Sequence, residues 1–260
     1  DSTIGARFSN PKLVQRYGND SMPQTGDNVA LAYSISREDA DRFAAASQAR
    51  YQVALQAGVL DDEILAIDVP TGRKGQTQRV SHDEHPRPQS DLAALSRLQP
   101  LFPNGVVTAG NASGINDGAA AVLLGNREIG IAHGVQPMAR ILSSAVVGVE
   151  PRIMGIGPHR AIEVALQRAG ISLAEVDLIE INEAFAPQVL SCLKALELSF
   201  DDPRVNPNGG AIAIGHPLGA SGARLVLSAC RTLQRNNLRY AVVSLCVGVG
   251  QGVAMVIERA

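Results

Sequence analysis

The chain has no tryptophan, and phenylalanine and tyrosine bring the aromatic share to only 3% of its 260 residues, so any core it builds is aliphatic. Charge is sparse and balanced: 23 Lys and Arg against 25 Asp and Glu give a formal net charge of −2. That balance offers no broad basic field for nucleic acid, although a few clustered arginines suffice to hold one phosphate group. No run approaches the roughly 18 consecutive apolar residues of a membrane span. The opening DSTIGARFSN lacks the basic-then-apolar layout of a secretory signal. Membrane and secreted classes are therefore not expected, and a cytoplasmic location is the default. Cysteine is scarce as well. Cys192, Cys230 and Cys246 are an odd number without CxxC spacing, which argues against a disulfide framework and against a zinc site. The first residue is Asp1 rather than Met, so the sequence is read as a processed product or as part of a longer one.

What is present is glycine, 25 residues of it, and a chain that alternates strand-like with helix-like text. Ser36 followed by Glu38 and Asp39 reads as an N-cap opening a helix that stops at Gly58, within helical text from about residue 20. Residues 61–105 then turn polar and rich in proline and glycine after the strand-like DDEILAIDVP, an excursion of the kind that carries function. The run at 119–124 is apolar. Further on, strands are expected at 139–149, 178–182, 240–247 and 253–258, with helices at 159–169, 184–196 and 223–234. This alternation predicts an α/β layered fold with a buried sheet. An echo links Gly114, Gly118, Ala120 and Val122 to Gly248, Gly252, Ala254 and Val256, with Leu123 matching Ile257. It suggests two similar halves, each with a glycine loop running into a strand.

Three motifs carry chemistry. NPNGGAIAIGHPLGASGAR, residues 206–224, crowds five glycines around His216. Glycine at that density lets backbone approach a ligand closely, and no Gly-Lys-Ser/Thr follows to make a phosphate loop. A lone histidine is more often a buried group satisfied by backbone; the glycines and Pro217 favour a site residue. CVGVGQG, beginning at Cys246, follows a β-branched strand. A dinucleotide fingerprint would open a helix, whereas a strand follows here, leaving a thiol at a strand end beside N–H groups able to serve an oxyanion. NEAFA places Asn182 where a strand hands over to a helix, as a cap or as a holder of water or ligand. Cys192 and Cys230 read as inert buried thiols, and His82, His85 and His133 as surface residues. Asn111-Ala112-Ser113 fits a glycosylation pattern that needs a secretory route.

NEAFA, NPNGGAIAIGHPLGASGARL and CVGVGQGVAMVIE, with VTAGNASGINDGAAA upstream, stand in the order and spacing of the signature segments of thiolases, and the chain resembles that family from about residue 21 to its last residue. DSTIGARFSNP, YGNDSMPQTGDNVA and the pair MGIGP with CVGVGQG are most similar to the 3-oxoadipyl-CoA thiolases of aromatic degradation.

The resemblance implies a layered αβαβα fold, here incomplete. Residues 1–105 would form a loop domain that lids coenzyme A, 106–134 the end of the N-terminal half, and 135–260 the C-terminal half. It implies thiolytic cleavage of a 3-oxoacyl-CoA by coenzyme A, or the reverse condensation. Coenzyme A is then a substrate, with no further cofactor and no metal. By motif, His216 would activate the nucleophile and donate to the thioester oxygen, Cys246 would shuttle a proton, Asn182 would hold a water in one oxyanion hole, and the Gly248 N–H would serve the other. Ser113 and Ala109 would line the pantetheine channel, Phe102 and Phe185 the thioester end, Met22 the acyl pocket, and Arg87 the nucleotide end. The family's acyl-accepting cysteine lies upstream of anything in this sequence. A rival reading is therefore a non-catalytic CoA-binding remnant; a 3-oxoacyl synthase fits less well because a cysteine sits in the final glycine turn. A homodimer or homotetramer is the expected assembly of the complete protein.

Overall fold

The computed structural model describes residues 9–72 and 75–260. Residues 1–8, which open the segment used for the subfamily likeness, and 73–74 of the polar excursion lie outside the described residues. In chain order the elements are α1 (Pro11–Tyr17), α2 (Met22–Tyr33), α3 (Arg37–Gln56), β1 (Ile67–Pro70), β2 (Thr77–Val80), α4 (Leu92–Leu95), α5 (Arg127–Ala132), β3 (Ala139–Gly148), α6 (Gly157–Ala169), β4 (Leu178–Ile181), α7 (Ala186–Ala195), α8 (Ala211–Ile214), α9 (Ser221–Arg235), β5 (Tyr240–Val247) and β6 (Gln251–Arg259).

Ser36 caps α3 as expected: its Oγ accepts from the Asp39 N–H at 3.1 Å and donates to the Asp39 carboxylate at 2.6 Å. This reciprocal box satisfies donors that a helix start leaves bare. The helical text before it is a separate helix, α2, because Ser34 takes a left-handed conformation, φ 53°, and ends it.

Strands β3, β6, β5 and β4 form one sheet in that order, with β4 and β5 parallel and the other pairs antiparallel. Alternation along the central strands sorts their side chains onto two faces. Ile179, Ile181, Val242 and Val256 face α6 and α7, and α7 in turn packs against α2 and α3. Leu178, Ala241, Val243 and Ile257 face the other way, onto Leu225, Ala229 and Leu233 of α9. Each fully buried leucine there contributes about 2 kcal/mol by leaving water. The layering is helix, sheet, helix, with β1 and β2 as a separate two-stranded ribbon. A second large sheet is not formed among the described residues.

The apolar run at 119–124 is a correction. It has no strand partner and is irregular, with Leu123 87% and Leu124 67% exposed. A strand is held by ladder bonds to a neighbour, and no neighbour stands beside this segment among the described residues. The echo therefore does not yield two matching strands: Ala254 and Val256 are buried in β6, while Ala120 and Val122 lie in irregular chain.

Candidate active site

The end of β4, the loop before α9 and the end of β5 converge. Beyond Ile181 the chain leaves the sheet with the Asn182 N–H donating to the Ser244 carbonyl of β5 at 2.9 Å. Asn182 is 1% exposed. Its amide nitrogen lies 3.3 Å from His216 Nε2, and on the other side of the ring His216 Nδ1 lies 2.6 Å from Ser221 Oγ. Ser221 Oγ is also 3.1 Å from the Pro217 carbonyl. A hydroxyl has one proton to give. Given to Pro217, it leaves Ser221 accepting from Nδ1–H, and the Nε2 lone pair faces the Asn182 amide; the tautomer is assigned from this network. Burial and the Arg224 charge lower the His216 pKa to about 4, so the imidazole is neutral near pH 7.

The loop that carries His216 is fixed by backbone. Gly215 has φ 91°, a left-handed value that glycine alone adopts freely. The His216 N–H donates to the Gly114 carbonyl at 3.0 Å. His85 corrects its assignment to the surface: its ring lies against Gly114, half-buried, and burial lowers its pKa. The polar excursion thus reaches the loop that holds His216.

Glu183, beside Asn182, is fully buried and escaped the sequence reading. One carboxylate oxygen accepts from Ser47 Oγ at 2.6 Å and the Ile212 N–H at 3.1 Å; the other accepts from Asn206 Nδ2 at 2.8 Å. It ties α3, the glycine tract and the end of β4 together. Ser221 was missed too. It opens a helix within the glycine tract, where a serine reads as an ordinary terminus, and only its spacing of five from His216 points to a partner.

Cys246 ends β5 with its sulfur buried among Val107, Met154, Ala184 and Phe185, and Met22 packs against the same group. Phe185, expected at the thioester end, and Met22, expected in the acyl pocket, lie in this cluster. No hydrogen bond joins Cys246 to His216 among the described residues, and burial raises the thiol pKa to about 12. Apolar neighbours favour the protonated sulfur over the thiolate.

Gly248 sits in the turn after β5 with open space on its Cβ side. The Ser113 hydroxyl donates to the Ala184 carbonyl at 3.1 Å, which anchors the 111–113 turn beside Phe185. Ala109 and Arg87 are exposed. Phe102 is not brought to Cys246; it lines a cavity of about 540 Å³ with Asp27, Asn104 and Arg152. No group of three or more His, Cys, Asp or Glu able to hold a metal occurs among the described residues, and no described helix is long and apolar enough to cross a membrane.

Comparison with known proteins follows the same segments. Residues 6–128 match the model of the thiolase N-terminal domain and residues 135–259 that of the thiolase C-terminal domain. Over all 260 residues the chain is 53% identical to the 3-oxoadipyl-CoA/3-oxo-5,6-dehydrosuberyl-CoA thiolase of Escherichia coli K12, and spans 65% of that protein. It is 54% identical to the beta-ketoadipyl-CoA thiolase of Pseudomonas aeruginosa, spanning 64% of it. Among solved structures, human mitochondrial 3-ketoacyl-CoA thiolase in complex with CoA superposes on the whole chain with a TM-score of 0.89 at 41% identity, 66% of that structure being covered. The Bacillus anthracis acetyl-CoA acetyltransferase does so with a TM-score of 0.90 at 39% identity, 67% of it covered. Two domain models in sequence order and relatives alike along the entire length agree with the motifs around Asn182, His216 and Cys246: the chain belongs to the thiolase family.

Proposed function

We propose that this chain supplies the C-terminal half and lid of an acyl-CoA thiolase, cleaving a 3-oxoacyl-CoA with coenzyme A to acetyl-CoA and a shortened acyl-CoA. The names of the relatives support 3-oxoadipyl-CoA as the substrate. The observation that carries the reading is the array Asn182, His216, Ser221, tied through the Asn182 N–H to Ser244 of β5, the strand that carries the buried Cys246 thiol two residues on.

In this reading a thiolate outside these 260 residues attacks the 3-oxo carbon, with His216 Nε2 having taken its proton. The bond between C2 and C3 breaks, and Cys246 gives its proton to the leaving carbanion, a task suited to a thiol that burial keeps protonated. The Cys246 thiolate then takes the proton of the incoming coenzyme A thiol as that sulfur attacks the acyl-cysteine. Asn182, whose buried Oδ1 lacks a protein partner, is placed to hold a water at one oxyanion, and the Gly248 N–H serves the other. Ser113 and Ala109 would line the pantetheine channel, and Arg87 the nucleotide end. Residues 1–105 form the lid, 106–134 close the N-terminal half and 135–260 make the C-terminal half. Coenzyme A is the only cofactor-like molecule required, no metal takes part, and the complete enzyme is a cytoplasmic homodimer or homotetramer.

Thiolysis of 3-oxoadipyl-CoA and acetoacetyl-CoA by the purified chain, alone and within a full-length thiolase context, tests this. Turnover in the full-length context that His216→Ala and Cys246→Ala abolish is expected. Coenzyme A binding without turnover in either setting would replace the proposal with the non-catalytic remnant.

A further inference from the structure

His216 hangs between two elements: Asn182 just past β4 on one side, and Ser221 in the first turn of α9 on the other. The same two elements are joined a second time. Glu180 stands two residues before Asn182 with its carboxylate 2% exposed, and Arg224, one turn after Ser221, brings Nη1 to 4.0 Å from Glu180 Oε2. Residues two apart on a strand share a face, as do residues three apart on a helix. Each member of the second junction therefore lies on the same side of its element as a partner of the imidazole.

We propose that Arg224, braced against Glu180, is a positioning residue for His216: the pair fixes β4 against α9 at the level of the ring and sets a permanent positive charge near it. The inference rests on the reading of His216 as the base of the site. Arg224 is the charged group that acts on the imidazole. The groups that share its charge are Glu180 and Glu183 at and just past the end of β4, and Glu63 and Asp83 from the excursion. Burial holds each of these carboxyls up in pKa, and Arg224 draws each down. A guanidinium suits the place because it does not lose its proton. Its fixed charge disfavours the imidazolium and keeps the Nε2 lone pair free.

The test uses the 260-residue chain labelled with ¹³C at histidine Cε1, its His216 resonance assigned by loss in His216→Gln and followed from about pH 8 to about pH 3. Arg224→Met is expected to raise the His216 midpoint by roughly one unit, and Arg224→Lys to leave it close to that of the parent chain. If Arg224→Met does not fold, the double variant Arg224→Met with Glu180→Met removes the guanidinium without leaving the buried Glu180 carboxyl unpaired and keeps apolar packing, and the same rise is expected. An unmoved midpoint in either folded Met variant would overturn the proposal, as would a Lys variant that moves as far as Met. The readout needs no turnover. A failed thiolysis assay with a shifted midpoint defeats the proposed reaction alone, and the reverse result defeats this inference alone.

Discussion

Glu183 fills the space that a side chain at Gly210 would need: a Cβ there would lie 2.3 Å from Glu183 Cδ. Gly210→Ala should therefore destabilise the chain by about 2 kcal/mol in urea unfolding, since the buried carboxylate cannot retreat. Glu183→Ala should cost about 3 kcal/mol by stripping acceptors from Ser47, Asn206 and the Ile212 N–H. Combined, the two should cost at least about 1 kcal/mol less than their sum, because the second removes the clash made by the first. Strict additivity would show that the two residues do not compete for this space.

Ser221→Ala removes the acceptor of His216 Nδ1–H while leaving the Asn182 contact. We expect a stability loss of about 1 kcal/mol. In the full-length enzyme kcat should fall with little change in KM, since the ring is misaligned but substrate contacts remain. An unchanged kcat would remove Ser221 from the site.

The sequence spoke clearly where structure is local. YAVVSLCV announces β5 because a central strand buried on both faces is apolar throughout, and Ser36 with Asp39 announces the start of α3. Asn182 and His216, which the fold brings within 3.3 Å of each other, drew attention through a strand end and crowded glycines, and Cys246 through the glycine turn after β5. The run at 119–124 misled because a strand exists only with a partner, and pairing is a property of distant residues. Glu183 and Arg224 were passed over for a similar reason. A glutamate or arginine in an amphipathic stretch reads as a solvated face until the fold buries it. Ala109 and Arg87 entered through the family likeness; both are exposed, and Arg87 meets Gln48 through its backbone N–H.

Two buried groups give stability opposite dependences on pH. Burial raises the Glu180 pKa from 4.5 to about 8, so between those values the unfolded chain has released a proton that the folded chain keeps, and stability falls as pH rises. Glu180→Gln lacks this dependence. Its stability relative to the parent chain should climb across that window with a slope of up to about 1.4 kcal/mol per pH unit. For His216 the folded value drops from 6.5 to about 4, so the unfolded chain takes the proton first and stability is lost as pH falls through that interval. Denaturation of His216→Gln beside the parent chain should show that loss reduced; identical acid limbs would contradict it.

The three thiols should react in a fixed order. Cys192 and Cys246 are buried with pKa values pushed to about 12, while Cys230 is half-buried. An aromatic disulfide reagent at about pH 8 should modify Cys230 first and the other two only on unfolding, since the thiolate is the reacting form. Prompt native-state modification of Cys246, located by peptide mapping, would contradict its apolar seating.

The irregular stretch from Gly118 to Gly125 donates none of its N–H groups to another backbone carbonyl, whereas those of β5 are shared between β4 and β6. In deuterated water the first set should exchange close to the rate of an unstructured peptide, and the second only through opening of the whole sheet. One folded chain would then carry two clocks, and the fast one ticks where Leu123 and Leu124 meet solvent.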